Sequence, residues 1–179
     1  IQLPRLQSCK QKTRRTPRHP AIRRLLCAVL PALLAGCGGP DRTLFTGTVH
    51  PPTDQVAKAF VPAQVDRSCR VFAEVLVHLP ADLTGQEIET ILFTEAGQRG
   101  ADLVLIGQSR QGTVNATRFL YYGPEREYPF AERWRGWKFG YEVWEKQGDW
   151  VSIGYNELGR AEVRYDVPLI MQVAMLRCR

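Results

Sequence analysis

The chain has 179 residues, with 24 Lys and Arg against 18 Asp and Glu, five Cys, 44% hydrophobic residues and 9% aromatic ones. That length suits one modest domain with extensions, and the composition supplies a real core, which excludes a wholly disordered or collagen-like chain. The formal charge of +6 is not spread through the protein: residues 1–36 hold eight basic side chains (Arg5, Lys10, Lys12, Arg14, Arg15, Arg18, Arg23, Arg24) and no acidic one, which leaves 16 basic against 18 acidic residues in 37–179, a net of −2. A nearly neutral domain is not expected to bind nucleic acid.

The first 24 residues carry all of that positive charge, and Leu25 to Ala35 form an apolar run of 11 residues. A membrane-spanning helix needs about 20 apolar residues, so the run is too short to remain as an anchor. A basic stretch, a short apolar stretch and small residues at its end describe a secretory signal peptide. A buried core helix accounts neither for eight cations without an anion nor for Pro31 inside the run. The sequence starts at Ile1, and the piece before about residue 20 reads either as a mis-assigned, over-extended start or as the product of an unusual initiation codon. Arg14-Arg15 and Arg23-Arg24 lack the rest of a twin-arginine export motif and count as general positive charge.

Leu34-Ala35-Gly36-Cys37 resembles the lipobox of bacterial lipoproteins, in which Leu and two small residues precede an obligatory Cys. The resemblance implies diacylation of the Cys37 thiol, cleavage before Cys37 and acylation of the freed amine. Three acyl chains exceed the two signals that stable anchoring requires, so the expected product is held at the membrane by its N-terminal lipid. Gly38 follows Cys37, not the Asp that retains enteric lipoproteins at the inner membrane. By that rule the protein is expected in the cell envelope, facing the periplasm from the inner leaflet of the outer membrane. The expected organisation is a signal peptide over 1–36, lipidated Cys37 with a Pro-rich tether over 37–66, and a compact domain over 67–179.

Cys27 leaves with the signal peptide and Cys37 is committed to lipid, so Cys69 and Cys178 remain for an oxidising compartment. Their pairing is the expectation; two free thiols, or an intermolecular bridge through Cys178, are the alternatives. A bridge closing a loop of ~110 residues is worth ~4–5 kcal/mol in the chain-entropy account. No metal site is expected, because there is no Cys-x-x-Cys and His50 and His78 stand alone.

Pro40, Pro51, Pro52 and Pro62 mark residues 38–66 as a spacer, with 43–49 as one short strand candidate. Arg70 to Leu79 alternates and is apolar on both sides, which predicts a strand covered on two faces. Thr84-Gly85-Gln86-Glu87 matches a capping box, and Ile88, Ile91, Leu92 and Ala96 fall on one face of the helix it opens, with Gly97 or Gly100 closing it. Leu103 to Ile106 predicts a second buried strand, neighbouring the first. Later strands are expected over 113–122, over Trp137-x-Phe139-x-Tyr141-x-Val143 turning into 150–155 as a hairpin, over Ala161 to Val167, and over Leu169 to Met175. The fold class is α+β: one helix packed on a mostly antiparallel sheet, opening strand–helix–strand and followed by hairpins. Glu95-Ala96-Gly97-Gln98-Arg99-Gly100-Ala101-Asp102 at the helix end is similar to small envelope lipoprotein domains of the Rcs stress-sensor type. The similarity implies a helix stop before β structure and transfers no signalling role.

Nothing in the sequence assembles a catalytic constellation, a phosphate loop or a cofactor motif, so a non-enzymatic protein without a cofactor is expected. The informative cluster is aromatic: Trp134, Trp137, Phe139, Tyr141, Trp144, Trp150 and Tyr155 lie within 22 residues, and all four Trp of the chain are among them. If 137–143 is a strand, Trp137, Phe139, Tyr141 and Val143 face the helix, while Trp134 and Trp144 point away. The cluster is then either core and cross-strand pairs or an exposed surface of Trp134, Trp144 and Trp150 with Arg133 and Arg135. Two functions follow. One is a tethered interaction, scaffolding or sensing module for an envelope protein; the other is a carbohydrate- or peptidoglycan-binding lipoprotein using an exposed coplanar Trp pair.

Overall fold

A computed structural model describes residues 44–178. Leu34, Ala35, Gly36 and Cys37, with the expected signal peptide and the first residues of the expected tether, lie outside the described residues. Within 44–178 no helix is long and apolar enough to cross a membrane.

The structure is α+β. In chain order its elements are β1 (Ala57–Ala59), a 3-10 turn (Pro62–Gln64), β2 (Arg70–Leu79), β3 (Leu83–Thr84), α1 (Gly85–Gln98), β4 (Leu103–Gln111), β5 (Arg118–Gly123), β6 (Tyr128–Pro129), α2 (Phe130–Arg133), α3 (Tyr141–Trp144), β7 (Arg164–Tyr165) and β8 (Leu169–Arg177). The main sheet runs β1-β4-β8-β2-β5, with β6 pairing the start of β2. Only β1 and β4 are parallel; β4–β8, β8–β2 and β2–β5 are antiparallel. β3 and β7 form a separate two-residue ribbon.

The opening strand–helix–strand is present, but its strands are not neighbours. β8 lies between β2 and β4 and pairs with both. The reason is hydrophobicity: Leu169 to Leu176 is buried at every position, and such a strand belongs in the middle of a sheet covered on both faces.

Local chemistry sets the helix as the sequence predicts. Thr84 Oγ1 accepts from the Glu87 amide, and the Glu87 carboxylate accepts from the Thr84 amide at 2.7 Å. At the other end, Gly100 adopts φ +82°. The Gly100 amide bonds to Gly97 O and the Ala101 amide to Ala96 O, a Schellman closure. Ile88, Leu92 and Ala96 are buried against Ala73, Val75, Val77 and Leu79 of β2 and against Met171, Val173 and Met175 of β8. A register shift between Val71 and Ala73 turns Phe72 to this same face.

The hairpin expected from Trp137–Val143 and 150–155 does not form. Residues 134–140 are irregular, Tyr141–Trp144 is one helical turn, and 150–155 contributes a single bridge between Trp150 and Arg110. The strand expected over 161–167 shrinks to β7, and 43–49 holds no strand among its described residues.

The expected tether is the other correction. From Phe45 onward it is part of the folded unit, which therefore starts well before residue 67. Phe45 meets Phe72 and Tyr121 edge-on, at centroid distances of 6.4 and 5.1 Å. The Thr53 amide bonds to Gly97 O, the Ala57 amide to Asp102 O, and Ala57–Ala59 pairs with Leu103–Leu105. Its prolines interrupt regular structure without preventing attachment, because isolated apolar residues (Phe45, Val56, Ala59, Phe60) reach the core one at a time.

Cys69 and Cys178 form a disulfide with Cα atoms 4.0 Å apart, joining residues 109 apart in sequence. Asp102 supports it, its carboxylate accepting from the Cys178 amide at 2.8 Å and from the Arg177 guanidinium at 3.1 Å. Replacing both cysteines by Ala is expected to lower the unfolding free energy by about 4 kcal/mol, as for any bridge closing about 100 residues; urea titration of the two proteins checks this.

Candidate binding surface

One face of the main sheet carries α1. The opposite face presents Val71, Leu76, Leu105, Ile170, Ala174 and Leu176, an apolar surface without a long helix to cover it. The segment 128–150 covers it with aromatic rings. Phe130 stacks on Trp134 (5.3 Å), Trp134 meets Trp137 edge-on (5.1 Å), Trp137 meets Phe139 (6.0 Å), and Phe139 lies 6.2 Å from Tyr122. Trp137 lies on Gly107 of β4, where a Cβ would come within 2.5 Å of the indole. Gly140, with φ +61°, turns the chain where Leu76 and Tyr122 leave no room for a side chain. Trp137 and Phe139 therefore cover the face away from α1, not the face toward it, because an irregular chain follows a curved apolar surface more closely than a second hairpin could.

The five residues expected to form one surface separate into three groups, Trp134 being packed in the aromatic layer between Phe130 and Trp137. Trp144 is buried at 4% exposure and meets Trp150 at 5.9 Å with an interplanar angle of 62°; Trp150 is 62% exposed. Arg110 lies over both rings, at 5.8 and 5.2 Å, and donates to Trp144 O and Gly148 O. These indoles are not coplanar, and only one reaches solvent.

Arg133 and Arg135 belong elsewhere. With Lys138, Gly136 and Phe139 they line a pocket of about 180 Å³ whose wall includes Glu74 and Tyr128. Tyr128 donates its hydroxyl to Glu74 Oε1 at 2.7 Å, and the Arg133 guanidinium lies 5.5 Å from the Tyr128 ring centre. Burial pushes the Glu74 carboxyl above its ordinary 4.5, against the opposing pull of the Tyr128 hydrogen bond. Burial and Glu74 together push the Tyr128 hydroxyl far up, so it stays a donor. The Gly136 φ of +83° and the Lys138 amide bond to Gly136 O reverse the loop there and bring positions 133, 135 and 138 to one rim. Arg135 donates to Glu132 O and Trp134 O. Among the described residues, none of Arg133, Arg135 and Lys138 has a carboxylate partner.

Sequence reasoning found the two arginines and missed Glu74, Tyr128 and Lys138. Glu74 had a legible signal, as the one acid inside the otherwise apolar run Val71–Val77.

Two further acids, the buried Glu95 and the half-buried Glu127, are held by cations. Glu95 accepts from Tyr121 (2.6 Å) and from its i+4 neighbour Arg99 (2.9 Å). Glu127 takes Arg70 at 2.8 Å and His50 at 3.0 Å. His78 is buried in β2 with Nδ1 unbonded among the described residues; burial and then Arg118 depress its basicity, so it is neutral at pH 7.

Compared with known proteins, the chain matches no family model, no curated sequence and no solved structure.

If the rings are core, Trp137→Ala is expected to lower the unfolding free energy by about 3 kcal/mol and Trp150→Ala by under about 0.5 kcal/mol, read by chemical denaturation. For Glu74 the sign is set by its raised folded value. The stability of the buried neutral acid is present below 4.5 and is lost as pH rises through the raised value. Glu74→Gln is therefore expected to match the parent at about pH 4 and exceed it at about pH 7, measured by thermal unfolding at both.

Proposed function

We propose that this protein is an exported, lipid-anchored envelope lipoprotein whose α+β domain is a non-enzymatic interaction module facing the periplasm. The observation that carries the reading is the Cys69–Cys178 disulfide, which needs an oxidising compartment and leaves Cys37, at the end of the Leu34-Ala35-Gly36 motif, free for lipid. The pairing of these acids supports the non-enzymatic part: Glu95 and Glu127 are each held by a cation and by a second hydrogen-bond donor that ties separate elements together. Of the two surfaces weighed from the sequence, the geometry favours an interaction module over a glycan platform. Trp144 is buried and inclined at 62° to Trp150, whereas sugar stacking uses exposed faces. The loop from Arg133 to Lys138, whose cations have no carboxylate partner among the described residues, is the working surface in this reading, and the partner is an envelope component met at the membrane.

The anchor is tested by Cys37→Ala. The parent protein extracted from membranes is expected to begin at residue 37 and to carry the added mass of three acyl chains by intact-mass spectrometry. The variant is expected to keep its leader and carry no acyl mass. A Cys37→Ala protein that is trimmed normally and still fractionates with membranes sinks the proposal.

A further inference from the structure

We infer that the pocket of Glu74, Tyr128, Arg133, Arg135 and Lys138 is a binding site for a phosphate oxyanion, either a soluble phosphate ester or the phosphate of a lipid headgroup. The inference rests on reading the 133–138 loop as the working surface, and not on the anchor at Cys37. Three observations converge. First, three cations line a pocket of about 180 Å³, and among the described residues none has a carboxylate partner, although other cations such as Lys58, Arg70 and Arg99 have found one. Secondly, the acid that shares the pocket forms no ion pair with any of the three among the described residues. Glu74 is satisfied by the Tyr128 hydroxyl at 2.7 Å, and its burial favours the uncharged form. Thirdly, two of the three exposed cations are positioned by contacts: Arg135 donates to Glu132 O and Trp134 O, Trp134 is stacked on Phe130, and Arg133 lies over Tyr128. Each such contact reduces the side-chain freedom lost when a ligand binds.

The donor set selects the ligand class. Two guanidinium forks and an ammonium offer more N–H groups than the two oxygens of a carboxylate can accept, and match the three free oxygens of a phosphomonoester or the two of a diester. The pocket volume admits the phosphate and the first atoms of its substituent, with the Phe139 ring beside them. Glu74 sets the pH dependence. As a neutral acid it can donate to a phosphate oxygen; as a carboxylate it repels one, with Tyr128, Arg133, Arg135 and Lys138 as the other charged or titratable groups lining the pocket. Binding therefore strengthens as pH falls through the raised Glu74 value.

The test is calorimetric titration of the full-length protein with inorganic phosphate, then with glycerol 3-phosphate and with short-chain phosphatidylglycerol. Saturable binding is expected at a Kd of about 1 mM or tighter for the free anion. Arg133→Ala/Arg135→Ala/Lys138→Ala should weaken it by at least about 100-fold, since charge-assisted hydrogen bonds are the strong ones. A charge-matched control, Arg67→Ala/Lys146→Ala/Arg160→Ala, should leave it within about twofold. Glu74→Gln should tighten binding several-fold at neutral pH and flatten the pH dependence of sulfate binding, sulfate being an anion whose own charge is constant there. Tighter binding of phosphatidylglycerol than of glycerol 3-phosphate identifies a headgroup site, and the reverse a soluble ester; both must fail with the triple pocket variant. No saturable heat with any of the three ligands, equal loss in the control variant, or unchanged binding in Glu74→Gln would overturn the inference. Because none of these readings involves acyl mass, the titration can succeed where the anchor test fails, and the anchor test can succeed where the titration fails.

Discussion

Strands β2 and β8 lie side by side, and from Val71 to Leu79 and from Leu169 to Leu176 all but Glu74 are buried. A sheet of this kind must be covered twice, since an exposed apolar face of that extent would drive association. Among the described residues α1 is the one long helix, and it can cover one face only. The remaining cover comes from the segment between β5 and β7, which contains four-residue helical turns and irregular backbone. Its rings are large enough to do the work of a helix: an aromatic side chain buries about 150–250 Å², so few residues shield the second face. Gly107 and Gly140 follow from this arrangement, because indole and phenol rings lie where their side chains would be.

Two-sided burial also decides where polar groups can go. Glu95 and Glu127 each enter the protein beside a cation, and each pairing ties separate elements together: Glu95 joins α1 to Tyr121 of β5, and Glu127 joins β2 to the N-terminal segment through Arg70 and His50. Desolvating an acid is tolerable when its partner comes with it. Glu74 departs from that pattern. It has a phenol for a partner, its strand position is fixed by the sheet, and the cations near it stay at the rim of a pocket. Among the described residues, the three cations lining its pocket have no carboxylate partner.

The parts of the fold legible in the sequence are those in which neighbouring residues carry the instruction. The Thr84–Glu87 box, the helical spacing of Ile88, Leu92 and Ala96, and the glycine stop at Gly100 are all local, and the structure has each. The disulfide was reachable by counting cysteines on the expectation of an oxidising compartment. The alternation Trp137, Phe139, Tyr141, Val143 misled because period two is not unique to strands: a chain laid over an apolar face also alternates rings that touch it with residues that do not. The insertion of β8 between β2 and β4 is non-local; its trace was the run of buried-type residues from Leu169 to Leu176, which marks a central strand but does not name its neighbours. The pocket was half visible. Its arginines stood out as charge beside tryptophan, whereas Glu74 and Tyr128 meet only because β6 pairs with the start of β2.

Attachment of residues 45–59 to the domain bears on how the proposed anchor acts. Cys37 and Leu44, the first described residue, are seven positions apart. Even fully extended, that stretch spans no more than about 25 Å, against about 100 Å had the chain been free as far as residue 66. A lipid on Cys37, as proposed, would therefore hold this domain close against the leaflet and would not let it range far from it. At that distance the orientation of the domain matters as much as its affinity, since only one side can face the headgroups. The His50–Glu127 contact and the seating of Phe45 on Phe72 and Tyr121 fix where the chain leaves the folded unit. They thereby limit which surfaces can meet the membrane, so the N-terminal segment sets the geometry of anchoring as well as its length.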